Sequence, residues 1–231
     1  MNKPVNAARE AARSQWHARF DNRKKIDAGK PGKLEVTALG SDTTEMLFYD
    51  EVGFWGITAE QFNAALATVR TPNIRLRINS PGGDVFEGYA IYNALKAHAA
   101  NIDVIVDGIA ASAASFIALA GDTLTMGDPS MLMIHRAFTL ALGNTKDMQA
   151  AADLLAKVDG QIADIYAGKC GKSQADMLAL MDAETWLTAQ EAGDLGLVDE
   201  IAGDNEPDED DMAAQAHAAR ARAATLIALR A

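Results

Sequence analysis

The sequence predicts an α/β fold of stacked βαβ units, on three observations. Short β-branched runs alternate with segments of helical periodicity. The helical segments open on capping signals, and the runs close on Gly, Pro or Asp. The 231 residues are 49% hydrophobic and 23% charged, enough apolar content to fill one sizeable core. Strand–helix–strand alternation of this kind implies right-handed crossovers.

The elements follow in order. Residues 1–33 are basic, Ala-rich and broken by Lys30-Pro31-Gly32, so they are expected to form an arm. Residues 34–39 alternate as a strand, and Met46-Leu47-Phe48-Tyr49 is a second apolar run. Thr58 followed by Gln61 marks a helix start, with Phe62, Leu66 and Val69 at helical spacing up to Pro72. Ile74, Leu76 and Ile78 alternate with Arg75 and Arg77, which predicts a strand. Ser80-Pro81-Gly82-Gly83-Asp84 turns the chain, and 85–99 reads as a helix. Ile102 to Val106 reads as a buried parallel strand. Small residues follow, then a helix over 112–119. Residues 123–126 and 131–134 read as short strands.

Residues 145–180 are expected to be largely helical. Met148, Ala151, Ala152, Leu155, Val158 and Ile162 form an apolar stripe. Gly168-Lys169-Cys170-Gly171 is expected to break this helix, and Ser173-Gln174-Ala175-Asp176 to restart it. Thr188 with Glu191 opens another short helix, and Val198 and Ile201 predict a last strand. Residues 204–211 are an acidic linker, followed by an Ala/Arg-rich tail to Ala231. The expected organisation is therefore an arm (1–33), a folded domain (34–203) and a linker with tail (204–231).

Charge narrows the function. The net charge is −11, which argues against a general nucleic-acid binder. Residues 1–33 carry nine basic and three acidic side chains, and the remainder twelve and 29, giving +6 and −17. Opposite signs fit either an electrostatic contact between segments or a solvated basic tail. The single Cys170 excludes an internal disulfide and fits a reducing cytoplasm. It has no CxxC or histidine cluster beside it, so neither a metal nor a cofactor is expected. No signal peptide and no run of membrane-spanning length is visible. The chain reads as soluble and intracellular, with no membrane partner.

Three motifs carry chemistry. Ser112 lies among tiny side chains, in Gly108-Ile109-Ala110-Ala111-Ser112-Ala113-Ala114-Ser115. Such smallness suits either close helix packing or the approach of a substrate backbone to a nucleophile at a helix start. Ser115 is the rival hydroxyl, one helical turn on. A serine needs a general base, a group to orient it and donors for the oxyanion. Of the four histidines, His17 and His217 lie in the terminal segments and His98 ends an Ala-rich helix. His135 follows a buried-type strand, and reads as a base or as a structural histidine. Gly82-Gly83 reads as a tight turn or as a source of an oxyanion donor. Asp182 and Glu184 are the candidate orienting acids, sharing one face if their segment is extended.

Together these motifs resemble the Clp-type serine peptidases. The resemblance runs from about residue 45 to 202. It rests on Ile78-Asn79-Ser80-Pro81-Gly82-Gly83, Gly108-Ile109-Ala110-Ala111-Ser112 and Met133-Ile134-His135. A fourth stretch, Leu187-Thr188-Ala189-Gln190-Glu191-Ala192, leads to Gly196-Leu197-Val198-Asp199. It implies a crotonase-like fold with an extended oligomerisation helix. It also implies Ser112 as nucleophile, His135 as base, and the backbone N–H groups of Gly83 and Ala113 as oxyanion hole. Glu184 falls where the family carries an aspartate, and Ala113 where it usually carries methionine. Glu51-Val52-Gly53-Phe54-Trp55-Gly56-Ile57-Thr58 and Glu184-Thr185-Trp186-Leu187-Thr188 resemble the phage branch that processes capsid and scaffold proteins in the procapsid. The resemblance thus implies protein substrates, the chain itself included, a homo-oligomeric ring and a site of action in the host cytoplasm. The alternatives are a host-type subunit working with an ATPase unfoldase, an acyl-CoA hydratase or isomerase on the same fold, and a non-catalytic assembly protein.

Overall fold

The computed structural model describes residues 34–203. The expectations for the basic arm and for the acidic linker and tail lie outside these residues.

The first strands, β1 (Leu34–Leu39) and β2 (Thr43–Phe48), form an antiparallel hairpin. Helix α1 (Ala59–Leu66) follows. Thr58 caps it through a complete capping box with Gln61, as its spacing predicts. The helix stops at Leu66, short of Val69, which is nonetheless buried. Strand β3 (Asn73–Ser80) then runs parallel to β2, and helix α2 (Val85–Ala97) is capped by Asp84.

Strand β4 (Asn101–Ala111) is twice as long as its β-branched core predicts. Residues 108–111 have little strand propensity of their own. They are extended because both flanks offer them a ladder. Ser80 pairs with Ala110 on one side. On the other side, β6 (Met131–Ile134) pairs in parallel with Ile109–Ala111. The first half of β4 pairs instead with β5 (Thr123–Gly127). The strand therefore changes neighbour at Asp107-Gly108. There the Asp107 carboxylate accepts from Arg77 Nε at 3.0 Å and from the Tyr49 hydroxyl. Burial first, then Asp107, pushes the Tyr49 hydroxyl up to about 12.

Helix α3 (Ala113–Ala118) begins directly after Ser112. Helix α4 (Thr145–Cys170) spans 26 residues, about 39 Å at 1.5 Å per residue. Its start at Asn144, with Asp147 closing the box, had no expected cap. Gly168 does not break it; the left-handed Gly171 does, at φ 69°. Helix α5 (Gln174–Asp182) restarts at Ser173 as predicted. Strand β7 (Thr185–Thr188) pairs antiparallel with β6. Its last residue, Thr188, also caps α6 (Ala189–Leu195), and β8 (Glu200–Ala202) closes against β5.

Among the described residues there is one eight-stranded sheet, ordered β1-β2-β3-β4-β5-β8, with β6 and β7 branching from β4. This is the predicted α/β architecture. The core strands are not buried on both faces, contrary to expectation for 102–106. Ile102, Val104 and Val106 are buried, whereas Asp103 and Ile105 are half-exposed. Strand β3 shows the same alternation, with Arg75 and Arg77 on the open face. The buried face packs on the helices; Phe62 of α1 meets Phe48 of β2 edge-on at 5.8 Å.

Candidate active site

Three strand ends converge. β3 runs into Pro81-Gly82-Gly83, β4 into Ser112 and β6 into His135. All three are carboxyl ends of mutually parallel strands, where open α/β sheets place their ligand crevices.

Ser112 has φ 55° and ψ −124°, a conformation that costs a residue with a Cβ about 1–3 kcal/mol. It is held there from both sides. Its N–H donates to Met133 O at 2.9 Å, which ties it to the strand that delivers His135. Its carbonyl accepts from the Ser115 N–H at 3.0 Å and from Ser115 Oγ at 2.5 Å. The result is a half-buried hydroxyl with His135 Nε2 at 2.8 Å. Ser115, the rival hydroxyl, is fully buried, and its Oγ also meets the Tyr166 hydroxyl at 2.7 Å. It faces the protein interior, not the crevice.

The Gly82-Gly83 loop lies over the Ser112–Ala113 peptide. A Cβ on Gly82, at φ 87°, would stand 2.4 Å from Ala111 O and 2.7 Å from Ala113 N. Only glycine fits this approach. Buried Ser80 anchors the loop: its Oγ donates to Asp50 O at 2.6 Å and accepts from the Gly82 N–H at 3.2 Å. Gly83 forms a parallel bridge with Val52, made by Val52 N–H to Gly82 O and Asp84 N–H to Val52 O. In such a bridge the N–H of the central residue points to the opposite side. The Gly83 N–H therefore points away from Val52. Gly83, Ser112, Ala113 and His135 all line one cleft of about 730 Å³.

The acids separate clearly. The segment 182–185 is not extended, so Asp182 and Glu184 do not share a face. Asp182 ends α5, and Glu184 adopts a left-handed φ of 49°. Both oxygens of Asp182 accept from Arg136, at 2.7 and 2.8 Å. Its pairing with Arg136 holds that carboxyl below the usual range. Glu184 precedes Thr185, which is paired with Ile134. Glu184 is thus the residue just before the end of the strand pair whose other strand runs into His135.

One residue with no signal in the linear pattern shapes this end. Asp159 of α4 is buried, and accepts from the Ala137 N–H at 2.8 Å and from Arg136 Nη1 at 3.3 Å. It thereby fixes the chain just after His135. Asp159 lies at the border of the predicted stripe, where a charge reads as solvated. Of that stripe, Val158 and Ile162 are buried, while Met148 is 38% exposed. Leu154, Val158 and Ile162 form one wall of the cleft, with Trp55, Phe86 and Phe138 around it.

Among the described residues no group of three His, Cys, Asp or Glu is placed to hold a metal ion. No described helix is long and apolar enough to cross a membrane.

Comparison with known proteins agrees with this geometry. A family model described as Clp protease matches residues 57–205. The ATP-dependent Clp protease proteolytic subunit of Bacteroides fragilis is 30% identical over 180 residues, covering 73% of this chain and 86% of that one. The subunit of Deinococcus radiodurans is 33% identical, covering 74% and 91%. Proteolytic subunit 1 of Protochlamydia amoebophila is 34% identical over 128 residues, covering 54% and 62%.

Proposed function

The chain belongs to the Clp protease family and is a serine peptidase, and from that premise we propose that Ser112, His135 and Glu184 form its catalytic triad. The 2.8 Å approach of His135 Nε2 to Ser112 Oγ carries the assignment. Ser112 Oγ attacks the scissile carbonyl while His135 Nε2 takes its proton. The oxygen of the tetrahedral intermediate accepts from the Gly83 and Ala113 N–H groups. His135 then protonates the leaving amine, and water releases the acyl group by the reverse proton route. Glu184 orients the imidazole from the turn that leads into the facing strand; that place beside the strand pair supports it over Asp182, whose oxygens are engaged by Arg136.

The substrates are proteins, cut as an endopeptidase within a homo-oligomeric ring. Capsid and scaffold proteins, and the chain itself, are the proposed targets. The stretches 51–58 and 184–188, which resemble the phage branch, support this. A second reading, a subunit fed by an ATPase unfoldase, is favoured by the names of the relatives.

Intact-mass spectrometry with a fluorophosphonate tests the core. One adduct is expected on wild type and none on Ser112→Ala, with peptidase kcat falling on the order of a millionfold. An unlabelled wild type, or an active Ser112→Ala, overturns the assignment. Cleavage of a purified scaffold protein without ATP favours the first substrate reading. Cleavage only with ATP and an unfoldase favours the second.

A further inference from the structure

Ser115 and Tyr166 form a buried hydroxyl chain that ends on the carbonyl of Ser112. Ser115 is fully buried, and Tyr166 of α4 is 1% exposed. Ser115 has one hydroxyl proton, and it goes to Ser112 O at 2.5 Å. Tyr166 must therefore donate to Ser115 Oγ across their 2.7 Å contact. Burial keeps the Tyr166 hydroxyl protonated well above the ordinary tyrosine range, so this donor persists at all working pH values.

The target of the chain matters. The Ser112 carbonyl and the Ala113 N–H belong to one planar trans peptide, so they point in opposite directions. Whatever holds the carbonyl toward the interior holds the N–H toward the cleft. The opposite edge of that peptide faces the Gly82-Gly83 loop, since a Cβ on Gly82 would stand 2.7 Å from Ala113 N. Ser112 lies in a conformation that L-residues avoid, so rotation of this peptide would relieve strain. The retaining bonds are the Ser115 N–H and the hydroxyl chain.

We infer that Tyr166 and Ser115 are positioning residues that lock the Ser112–Ala113 peptide with its N–H aimed at the oxyanion. The inference rests on the proposed role of the Ala113 N–H. It extends the site to a tyrosine 54 positions away in sequence, on the helix that also walls the cleft. Ser115 is sealed off from the cleft, and Tyr166 borders it with only 1% of its surface exposed, so each acts through the peptide plane.

The test compares an activated ester with its thionoester, whose sulfur is a poor acceptor for an oxyanion hole. Full-length wild type, Tyr166→Phe, Ser115→Ala and the double variant are assayed for kcat and KM. Losing one oxyanion donor costs about 10²–10³ in kcat, so a loosened donor is expected to cost about tenfold. Tyr166→Phe should lower ester kcat by that amount, leave KM and the pH profile in place, and barely change thionoester kcat. On the Ser115→Ala background it should add less than about twofold, because the two act as one chain. Equal losses on ester and thionoester, a change confined to KM, or full additivity would overturn the positioning role. A wild type that does not distinguish ester from thionoester would instead overturn the oxyanion reading beneath it. Tyr166→Phe preserves the ring and its packing, so the test stands even if Ser115→Ala folds poorly.

Discussion

The two sides of the cleft are built by opposite physics. The Ser112 side is held by uncharged groups without solvent: Ser115, Tyr166, Ser80 and glycine backbone. The His135 side is held by ions, with Arg136 one-third exposed between buried Asp159 and exposed Asp182. Neutral buried hydrogen bonds have fixed directions and are indifferent to salt and pH. Ion pairs at a surface tolerate adjustment and weaken with salt. The proposed nucleophile and oxyanion donors need fixed geometry, whereas the proposed base must accept and return a proton. Each side has the support that suits its task.

Gly82→Ala should give the largest effect that breaks this contrast. Its Cβ would be driven into Ala111 O and Ala113 N at a positive φ, and the rigid side has no slack to take it up. A misplacement near 1 Å at a reacting group costs on the order of 10²-fold. The rate of fluorophosphonate labelling should fall by at least that much. A rate within tenfold of wild type would show that the nucleophile side is not rigid.

Asp159→Asn probes the ionic side. It weakens the bonds from Ala137 N–H and Arg136 without removing the side chain. The expected cost is about 2 kcal/mol of stability, as for a hydrogen bond to a charged group. Denaturant midpoints measure it, with kcat falling more than KM changes. An unchanged midpoint would mean that Asp159 does not anchor the chain after His135.

Asp182→Asn should have the smallest effect. Asp182 is exposed, and its pKa is lowered by the hydrogen bond from Arg136 and then by that residue's charge. A depressed carboxylate contributes stability above its unfolded pKa, near 4, and loses it as pH falls through the lower folded value. Between pH 6 and 8, activity should therefore stay within about twofold of wild type. The variant should be slightly less stable than wild type above pH 4 and should converge with it as the pH falls, losing part of the acid dependence of unfolding. A large neutral-pH loss would make Asp182, not Glu184, the orienting acid.

The legible parts of the molecule were local. Thr58, Ser173 and Thr188 cap helices through residues three positions on, so a short stretch contains the whole interaction. Ser112, His135 and Gly82-Gly83 stood out because small residues or a strand end surround them. Residues 108–111 did not read as strand, because their ladder comes from Ser80 and β6 rather than from propensity. Asp159 and Tyr166 were invisible for a related reason. Their partners lie 22 and 51 positions away, and nothing beside them in sequence marks a buried charge or hydroxyl. What favours Glu184 over Asp182 in the proposed triad, the Arg136 pairing of Asp182 and the place of Glu184 just before β7, emerges only once β6 and β7 pair.

The backbone of Ser112 sets folding against chemistry at a single position. At φ 55° and ψ −124° a glycine would rest without penalty, while a serine is held against its preference. Ser112→Gly would remove the proposed nucleophile and the strain in one step, leaving the more relaxed turn. Selection for stability alone would erase this serine, so its presence marks the residue at which the fold is kept from its own optimum.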